Sequence, residues 1–183
     1  MLRPYNVLKI PIFITIMIYP NTDEWFPIVD ESGNEISRAL RRVCHNGKSK
    51  LLHPVVHMHL FNSKGELFLQ KRALAKDLLP GYWDTSVGGH VSPGENPDEA
   101  LKRETLEELG LMVFSYKFIK KYIWESTRER ELVYSFKGIS ENHPVINKEE
   151  IDDGRFWALE EIQQNLGKNI FTPNFEYEFD LLI

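Results

Sequence analysis

Apolar residues along the chain form short runs separated by turn residues, a pattern typical of a domain with many strands and few helices. His53–Phe61 and Glu66–Lys71 are rich in strand-forming residues, and Asn62–Gly65 between them has the composition of a turn. These two runs predict a β-hairpin. Further strands are predicted from Trp25 to the turn at Ser32–Asn34, with a second short strand possible after it, over Tyr82–Val87, Met112–Trp124 and Glu131–Lys137, and starting at Phe156-Trp157.

The strongest helix prediction runs from Asn96-Pro97-Asp98 to Leu109 and ends at Gly110, because proline favours the start of a helix and glycine its end. Shorter helices are predicted over Ser37–Cys44, over Leu159–Leu166 with Gly167 as C-cap, and over Phe175–Leu182. Strands mixed irregularly with few helices favour the α/β or α+β class over a regular doubly wound sheet.

The apolar run Ile10–Tyr19 follows Arg3 and Lys9 and needs separate treatment. Ten residues are too few to span a bilayer, which takes about 20. A basic start before an apolar run is compatible with an export signal, although Pro20-Asn21-Thr22 offers no typical cleavage site. The other interpretation is a strand or an upstream extension. Residues 1–22 are therefore an N-terminal extension of uncertain status, and 23–183 are predicted to form a single domain.

Composition narrows the class of function. The 183 residues are 42% hydrophobic and 27% charged, typical of one globular domain. A net charge of −5 lacks the basic footprint of a nucleic-acid-binding protein. The single cysteine, Cys44, excludes an intramolecular disulfide and a cysteine-rich metal site, so we expect a passive thiol in a reducing cytoplasm. No nucleic-acid or membrane partner is expected.

The predicted helix carries an acidic face. Glu104, Glu107 and Glu108 fall on an arc about 100° wide, separate from the apolar arc of the helix. One interpretation is a solvated acidic surface in which Arg103 and Glu107 form an ion pair. The other is a site for Mg²⁺ or Mn²⁺, since these ions take carboxylate oxygens and bridge them to substrate phosphates.

The spacing around this helix decides between the two interpretations. It resembles the Nudix box, G-x5-E-x7-R-E-U-x-E-E-x-G-U, in which U is a bulky apolar residue. All seven fixed positions are present: Gly89, Glu95, Arg103, Glu104, Glu107, Glu108 and Gly110. Thr105 departs from the pattern at the first U position, and Leu111 fits the second.

The resemblance implies an α/β fold, a Nudix-like α/β/α sandwich with a mixed sheet and a loop–helix–loop metal motif. It implies a hydrolase that uses Mg²⁺ or Mn²⁺ to cleave a phosphoanhydride bond in a diphosphate-linked small molecule, often a nucleoside derivative. Glu104, Glu107 and Glu108 would be catalytic and would ligate the metal. The Gly89 backbone would shape the site, and Arg103 would orient carboxylates such as Glu95. Which glutamate acts as general base stays open.

A second resemblance lies outside the box. The stretch RALAKDLLPGYWDTSVGGH, residues 72–90, is similar to isopentenyl diphosphate isomerases, which are Nudix-fold enzymes. That likeness implies phosphate-binding roles for Arg41, Arg72 and Lys76. It also implies a second metal site at His45, His53, His90, Glu129 and Glu131. His57 and His59 share the strand parity of His53, but we expect them to bond locally or to face the pocket.

Gly88 separates this chain from the isomerases, which carry their catalytic cysteine at the matching position. Glycine has no side chain to exchange the proton that an allylic isomerisation requires. Hydrolysis is therefore favoured. An isomerase-like enzyme, with Tyr82, Glu131 or water as the acid, and a non-catalytic ligand sensor remain as alternatives. A homodimer is possible, and the group attached to the diphosphate is not identified.

Overall fold

The computed structural model describes residues 24–76, 78–112 and 114–182, so the N-terminal extension predicted over 1–22 lies outside the described residues. Strands and helices follow one another in the order β1 Trp25–Val29, β2 Glu35–Leu40, α1 Arg41–Cys44, β3 Leu52–Phe61, β4 Leu67–Arg72, β5 Trp83–Asp84, β6 Val87–His90, α2 Pro97–Leu109, β7 Ser115–Glu125, β8 Arg130–Ile139, β9 Ile151–Trp157, α3 Leu159–Asn165 and α4 Pro173–Leu182.

Seven strands of the described chain form one mixed sheet, with β3 at its centre. Strand β3 runs parallel to β8 along its whole length and antiparallel to β6. The predicted hairpin of β3 and β4 is present, but the two strands pair only at Phe61 and Leu67. Beyond that point β6 takes the place beside β3, while β4 pairs with β5 and β9. Strands β1 and β2 form a separate antiparallel hairpin.

Strand β3 is buried at every one of its positions because helices cover both faces of the sheet. Val56, Met58 and Leu60 pack with Leu101 and Leu109 of α2. On the other face, alternate residues of β4 pack with α3 and α4. This confirms the predicted α/β class and the α/β/α sandwich. Among the described residues, no helix combines the length and the apolarity needed to cross a bilayer.

Helix α2 begins and ends where its sequence predicts. The side chain of Asn96 accepts hydrogen bonds from the backbone N–H groups of Asp98 and Glu99, and the Glu99 carboxylate accepts one from the Asn96 backbone N–H. Gly110 adopts the left-handed conformation with φ 63° and ends the helix. The acidic face is thereby held at a fixed place over the sheet.

Two predicted elements were wrong in part. Ser37–Leu40 belongs to strand β2, and only Arg41–Cys44 is helical, because pairing with β1 satisfies the backbone of this segment. The last strand ends at Trp157 instead of starting near it. The first part of the strand was missed because Ile151 is followed by the exposed, polar Asp152 and Asp153. Gly154 permits close packing, since a Cβ there would lie 2.6 Å from the Phe68 ring.

Candidate active site

A cleft of about 1060 Å³ opens between helix α2, the ends of the central strands and helix α4. Most of the residues singled out in the sequence face it. Those that line the cleft are Arg41, His45, Arg72, Lys76, Gly89, His90, Arg103, Glu104, Glu107, Glu129 and Glu131. Glu108 and His53 are buried. Gly110 ends α2, with its backbone N–H bonded to Leu106.

Arg103 links the loop before α2 to the acidic face of the helix. Its guanidinium donates two bonds of 2.9 Å to the carboxylate of Glu95 and one of 2.9 Å to the backbone oxygen of His90. It also contacts Glu104 at 2.7 Å and Glu107 at 3.1 Å. The bonds to Glu95 raise the pKa of Arg103 further above its ordinary value. Arg103 therefore fixes the loop and gathers the carboxylates.

Gly89 is needed because the carboxylate of Glu104 occupies the space of a side chain. A Cβ on Gly89 would lie 2.0 Å from Cδ of Glu104, far inside van der Waals contact. The strand β6 backbone thus forms a cradle against which Glu104 rests. This contact accounts for the glycine at the start of the motif.

Glu108 lies behind the cleft, under the β6 backbone. Its Oε2 accepts hydrogen bonds from Gln70 at 3.0 Å and from the Gly88 backbone at 3.2 Å. Burial, together with the nearby charge of Glu104, raises the pKa of Glu108 to about 8. Burial likewise raises the pKa of Glu104 to about 7, against the opposing effect of Arg103. Both groups therefore favour a partner of positive charge.

The histidines and acids of the second predicted site converge. The ligand atoms of His45, His53 and His90 lie within 4.8 Å of one another, as do those of His53, Glu129 and Glu131. The Nε2 atoms of all three histidines are buried with no hydrogen-bond partner among the described residues. His53 Nδ1 lies 2.9 Å from the Leu51 backbone oxygen, to which it donates when protonated, leaving its Nε2 as an acceptor.

Burial keeps these imidazoles neutral. Burial, with an added contribution from the charge of Arg41, lowers the pKa of His53 to about 4 and that of His45 to about 3. Phe26 of β1 stacks on His90 with ring centroids 4.0 Å apart and covers the cluster. Glu131 is buried beside Glu129, and this environment raises its pKa to about 8. Neutral imidazoles beside buried carboxylates are a donor set suited to a divalent metal.

The three predicted phosphate ligands all face the cleft, and each is paired with a carboxylate. Arg41 contacts Glu24 at 2.9 Å, Arg72 contacts Asp84 at 2.8 Å, and Lys76 contacts Glu150 at 3.1 Å. Arg72 also donates to the backbone oxygen of Leu78. The cleft thus joins cationic side chains to both groups of candidate metal ligands.

Comparison with known proteins identifies the architecture. The model of the NUDIX domain matches residues 51–175, more than half of the chain. The chain belongs to the Nudix family. Its relatives include an uncharacterised Nudix hydrolase of Listeria monocytogenes, 35% identical over 134 residues, which are 68% of this chain and 74% of the relative. An isopentenyl-diphosphate Delta-isomerase of Photorhabdus laumondii is 31% identical over 160 residues, 83% of this chain and 90% of the relative.

Solved Nudix structures share the fold. A Deinococcus radiodurans protein superimposes with a TM-score of 0.73 and 24% identity, covering 86% of this chain and 98% of the other. The NUDIX domain of Shewanella oneidensis NrtR, solved with ADP-ribose, gives a TM-score of 0.60 and 15% identity, covering 74% and 87% of the two chains. At these identities the likeness concerns the fold alone.

Two side chains that hold residues of the Nudix site in place were not found from the sequence. Gln70 holds Glu108, and strand parity could have placed it, since residues 68 and 70 share one face of β4. Glu178 binds His57 from helix α4, and nothing in the spacing connects residues so far apart. His57 lines the cleft. Facing the pocket was one of the two expectations for this residue; the other was a local hydrogen bond.

Proposed function

We propose that this Nudix protein is a hydrolase that uses Mg²⁺ or Mn²⁺ to cleave a phosphoanhydride bond in a diphosphate-linked small molecule, with a nucleoside as a favoured second group. One observation carries the proposal. Glu104 and Glu107 of α2 line the same cleft as the side chains of Arg41, Arg72 and Lys76, and Glu108 is buried behind it. Carboxylates facing cations across a cleft suit a substrate whose phosphates bridge metal and protein.

The residues of α2 fit a divalent metal. The carboxylates of Glu104, Glu107 and Glu108 are a hard oxygen donor set, and the Gly89 cradle places Glu104 toward the cleft. These three residues would hold the metal. When bound, such an ion neutralises phosphate charge and makes coordinated water more acidic.

The cationic side chains of the cleft would bind the phosphates of the substrate. Arg41, Arg72 and Lys76 would bind the phosphate oxygens, exchanging part of their present ion pairs for bonds to the substrate. Arg103, already occupied by Glu95 and the His90 backbone, would keep the loop in place and leave phosphate binding to the other three.

A second metal site at His45, His53, His90, Glu129 and Glu131 is part of the proposal. Three buried Nε2 atoms that make no hydrogen bond in the described chain support it, because a buried polar atom left unsatisfied is costly. The Nε2 atom of His45 lies 3.2 Å from Oε2 of Glu129, another member of the proposed site. Metal analysis of the purified protein tests it. We expect one retained ion that His90→Gln loses, whereas no retained ion in the intact protein after metal loading would contradict this site.

The first experiment follows hydrolysis by phosphorus NMR with Mg²⁺ or Mn²⁺. The panel contains nucleoside diphosphate sugars, ADP-ribose, dinucleotides, nucleoside triphosphates and isopentenyl diphosphate. We expect monophosphate signals that disappear with a chelator and return with excess metal.

Glu108→Gln should lower kcat about a hundredfold or more with the fold intact, because the amide can keep the bonds from Gln70 and Gly88. Glu141→Gln, an exposed site after β8, is the matched control and should retain kcat. Full activity of Glu108→Gln would refute the assignment of this helix.

Isomerisation of isopentenyl diphosphate is the second candidate, favoured by the Photorhabdus relative that the chain covers over 90% of its length. The structure has room for a side chain at position 88, where a Cβ would lie no closer than 3.6 Å to its neighbours. Glycine, however, supplies no acidic group there. Proton NMR of the same samples distinguishes the two reactions. Accumulation of the allylic isomer without monophosphate release would replace the hydrolase by the isomerase.

A further inference from the structure

His57 lines the cleft and contacts a buried carboxylate, that of Glu178. It lies on β3, and its Nδ1 is 2.8 Å from Oε2 of Glu178. Glu178 belongs to helix α4 and is completely buried. His59 Nε2 is 3.2 Å from the same oxygen, but His59 has no exposed surface and does not line the cleft. Glu178 therefore holds two histidines, of which only His57 faces the cleft.

The environment keeps His57 charged. Its burial alone would lower the pKa, but the charge of Glu178 and its hydrogen bond raise the pKa to about 9, and Glu131 of β8 and Asp84 of β5 act in the same direction. His90 of β6 also faces this imidazole. Asp84 is already engaged, since it accepts hydrogen bonds from Arg72 and Thr172. Glu131 belongs to the histidine cluster.

Gly88 opens the remaining edge of the imidazole. It pairs with His57 across β3 and β6. A Cβ on Gly88 would lie 3.7 Å from Cδ2 and 3.8 Å from Nε2 of His57, which is ordinary contact. The Gly88 backbone is outside the left-handed region, so neither strain nor crowding requires a glycine. What the missing side chain provides is access to Nε2, beside the backbone N–H that holds Glu108.

We propose that His57 is a catalytic hydrogen-bond donor whose Nε2–H contacts a phosphoryl oxygen of a diphosphate bound in the cleft. Glu178 is its positioning residue, because it fixes the ring through Nδ1 and leaves Nε2 directed at the cleft. Among the described residues, the imidazole makes no hydrogen bond besides the one to Glu178. The inference deepens the proposed function and rests on it for the substrate class, a diphosphate.

Binding can be tested without turnover. The probe is methylenediphosphonate with Mg²⁺, followed by nitrogen–proton NMR of the histidine side chains, with His57→Gln used for assignment. We expect the Nε2 signal of His57 to shift on titration. His57→Gln should weaken binding about tenfold or more, as expected for loss of a charge-assisted bond. A His57 signal unmoved at saturation, with unchanged affinity in His57→Gln, would overturn the proposal.

Two further variants separate a donor from a structural residue. Gly88→Ala covers Nε2 without removing a buried charge, so it should weaken binding on its own and add little in the His57→Gln background. His59→Gln alters the same Glu178 cluster away from the cleft, so its affinity should stay within about twofold although its melting temperature falls. Equal weakening by His59→Gln and His57→Gln, or fully additive effects of Gly88→Ala, would show a structural role only.

Kinetics distinguish this inference from the proposed function. Where a substrate is hydrolysed, His57→Gln should lower kcat more than it raises KM, and Glu108→Gln should lower kcat about a hundredfold or more. Hydrolysis that needs Glu108 but is unaffected by His57→Gln would refute the role of His57 and leave the hydrolase intact. If no substrate is hydrolysed while the binding results hold, the hydrolase fails and His57 remains a diphosphate ligand.

Discussion

Gly89 shows how a missing side chain positions a neighbouring functional group. Its Cα lies so close to Glu104 that a Cβ would overlap the carboxylate, with Cγ at 2.3 Å and Cδ at 2.0 Å. The glutamate side chain is flexible, so Gly89→Ala should displace it and leave the fold intact. We expect Mn²⁺ affinity to fall about tenfold or more, measured by electron paramagnetic resonance titration of free Mn²⁺.

The neighbouring Gly88→Ala is the matched control for this prediction. Its Cβ meets nothing within 3.6 Å, and the backbone bond from Gly88 to Glu108 is kept. Mn²⁺ affinity should therefore stay near that of the unaltered protein. Equal Mn²⁺ binding by the Gly89→Ala and unaltered proteins would show that Glu104 does not hold the ion.

For individual residues, the sequence could predict contacts within one motif but few contacts between that motif and residues distant in the chain. The contacts of Arg103 with Glu95 and Glu107 follow from spacing along a loop and a helix. Gln70 lines the cleft from β4, and Glu178 contacts the cleft residue His57 from α4. The positions of both depend on how the sheet and helices pack. Sequence separation carries no information about such contacts.

Among the secondary-structure elements, helix α2 owes part of its stability to its first turn. Asn96 forms a capping box with Glu99, and Pro97 starts the helix. Asn96→Ala should lower the free energy of unfolding by about 1 kcal/mol, since two backbone N–H groups lose their acceptor. Urea denaturation measures this loss. Turnover should change little, because the cap is two turns from Glu104.

Asn142→Ala provides the comparison for the cap. Asn142 is exposed, and its side chain makes no hydrogen bond within the described chain, so its removal should leave the unfolding free energy within about 0.5 kcal/mol. Equal stability of the Asn96→Ala and Asn142→Ala proteins would show that the capping box contributes nothing.

Elements whose termini carry local signals were predicted well, and those defined by partners were not. Asn96 and Gly110 mark both ends of α2. After Ile151, strand β9 continues with the polar Asp152 and Asp153 and with Gly154, and only pairing with β4 makes these residues a strand. Strand β2 likewise exists through β1. Tertiary pairing therefore overrides local preference where the local signal is weak.

At the scale of the whole molecule, strand β3 contributes both to the hydrophobic core and to the cleft, because the sheet is covered on both faces. One set of alternate β3 residues packs on α2, while His53, His57 and His59 point to the other face. There α4 supplies Glu178, which contacts the cleft residue His57, and Pro173 and Asn174 at the start of α4 line the cleft. Strand β3 and helix α4 must both be in place before these charges meet, and their pairing then contributes to stability.

That pairing predicts how stability depends on pH. The pKa of His57 is raised from 6.5 to about 9, so its contribution is complete below pH 6.5 and is lost as the pH rises toward 9. The pKa of Glu178 is lowered from 4.5, so its contribution is present above pH 4.5 and is lost in acid. The pair therefore stabilises the fold fully only between these two limits.

Urea denaturation of the unaltered and His57→Gln proteins at about pH 6 and about pH 9 tests this window. The difference in unfolding free energy should be larger at the lower pH, by on the order of 2 kcal/mol. His143→Gln, at an exposed histidine outside the cleft, should show a difference that does not vary with pH. A His57→Gln difference that stays constant from pH 6 to pH 9 would mean that this histidine is not held in its charged form. Glu178 would then be a buried carboxylate without a cationic partner at His57, and the positioning role assigned to it would lose its physical basis.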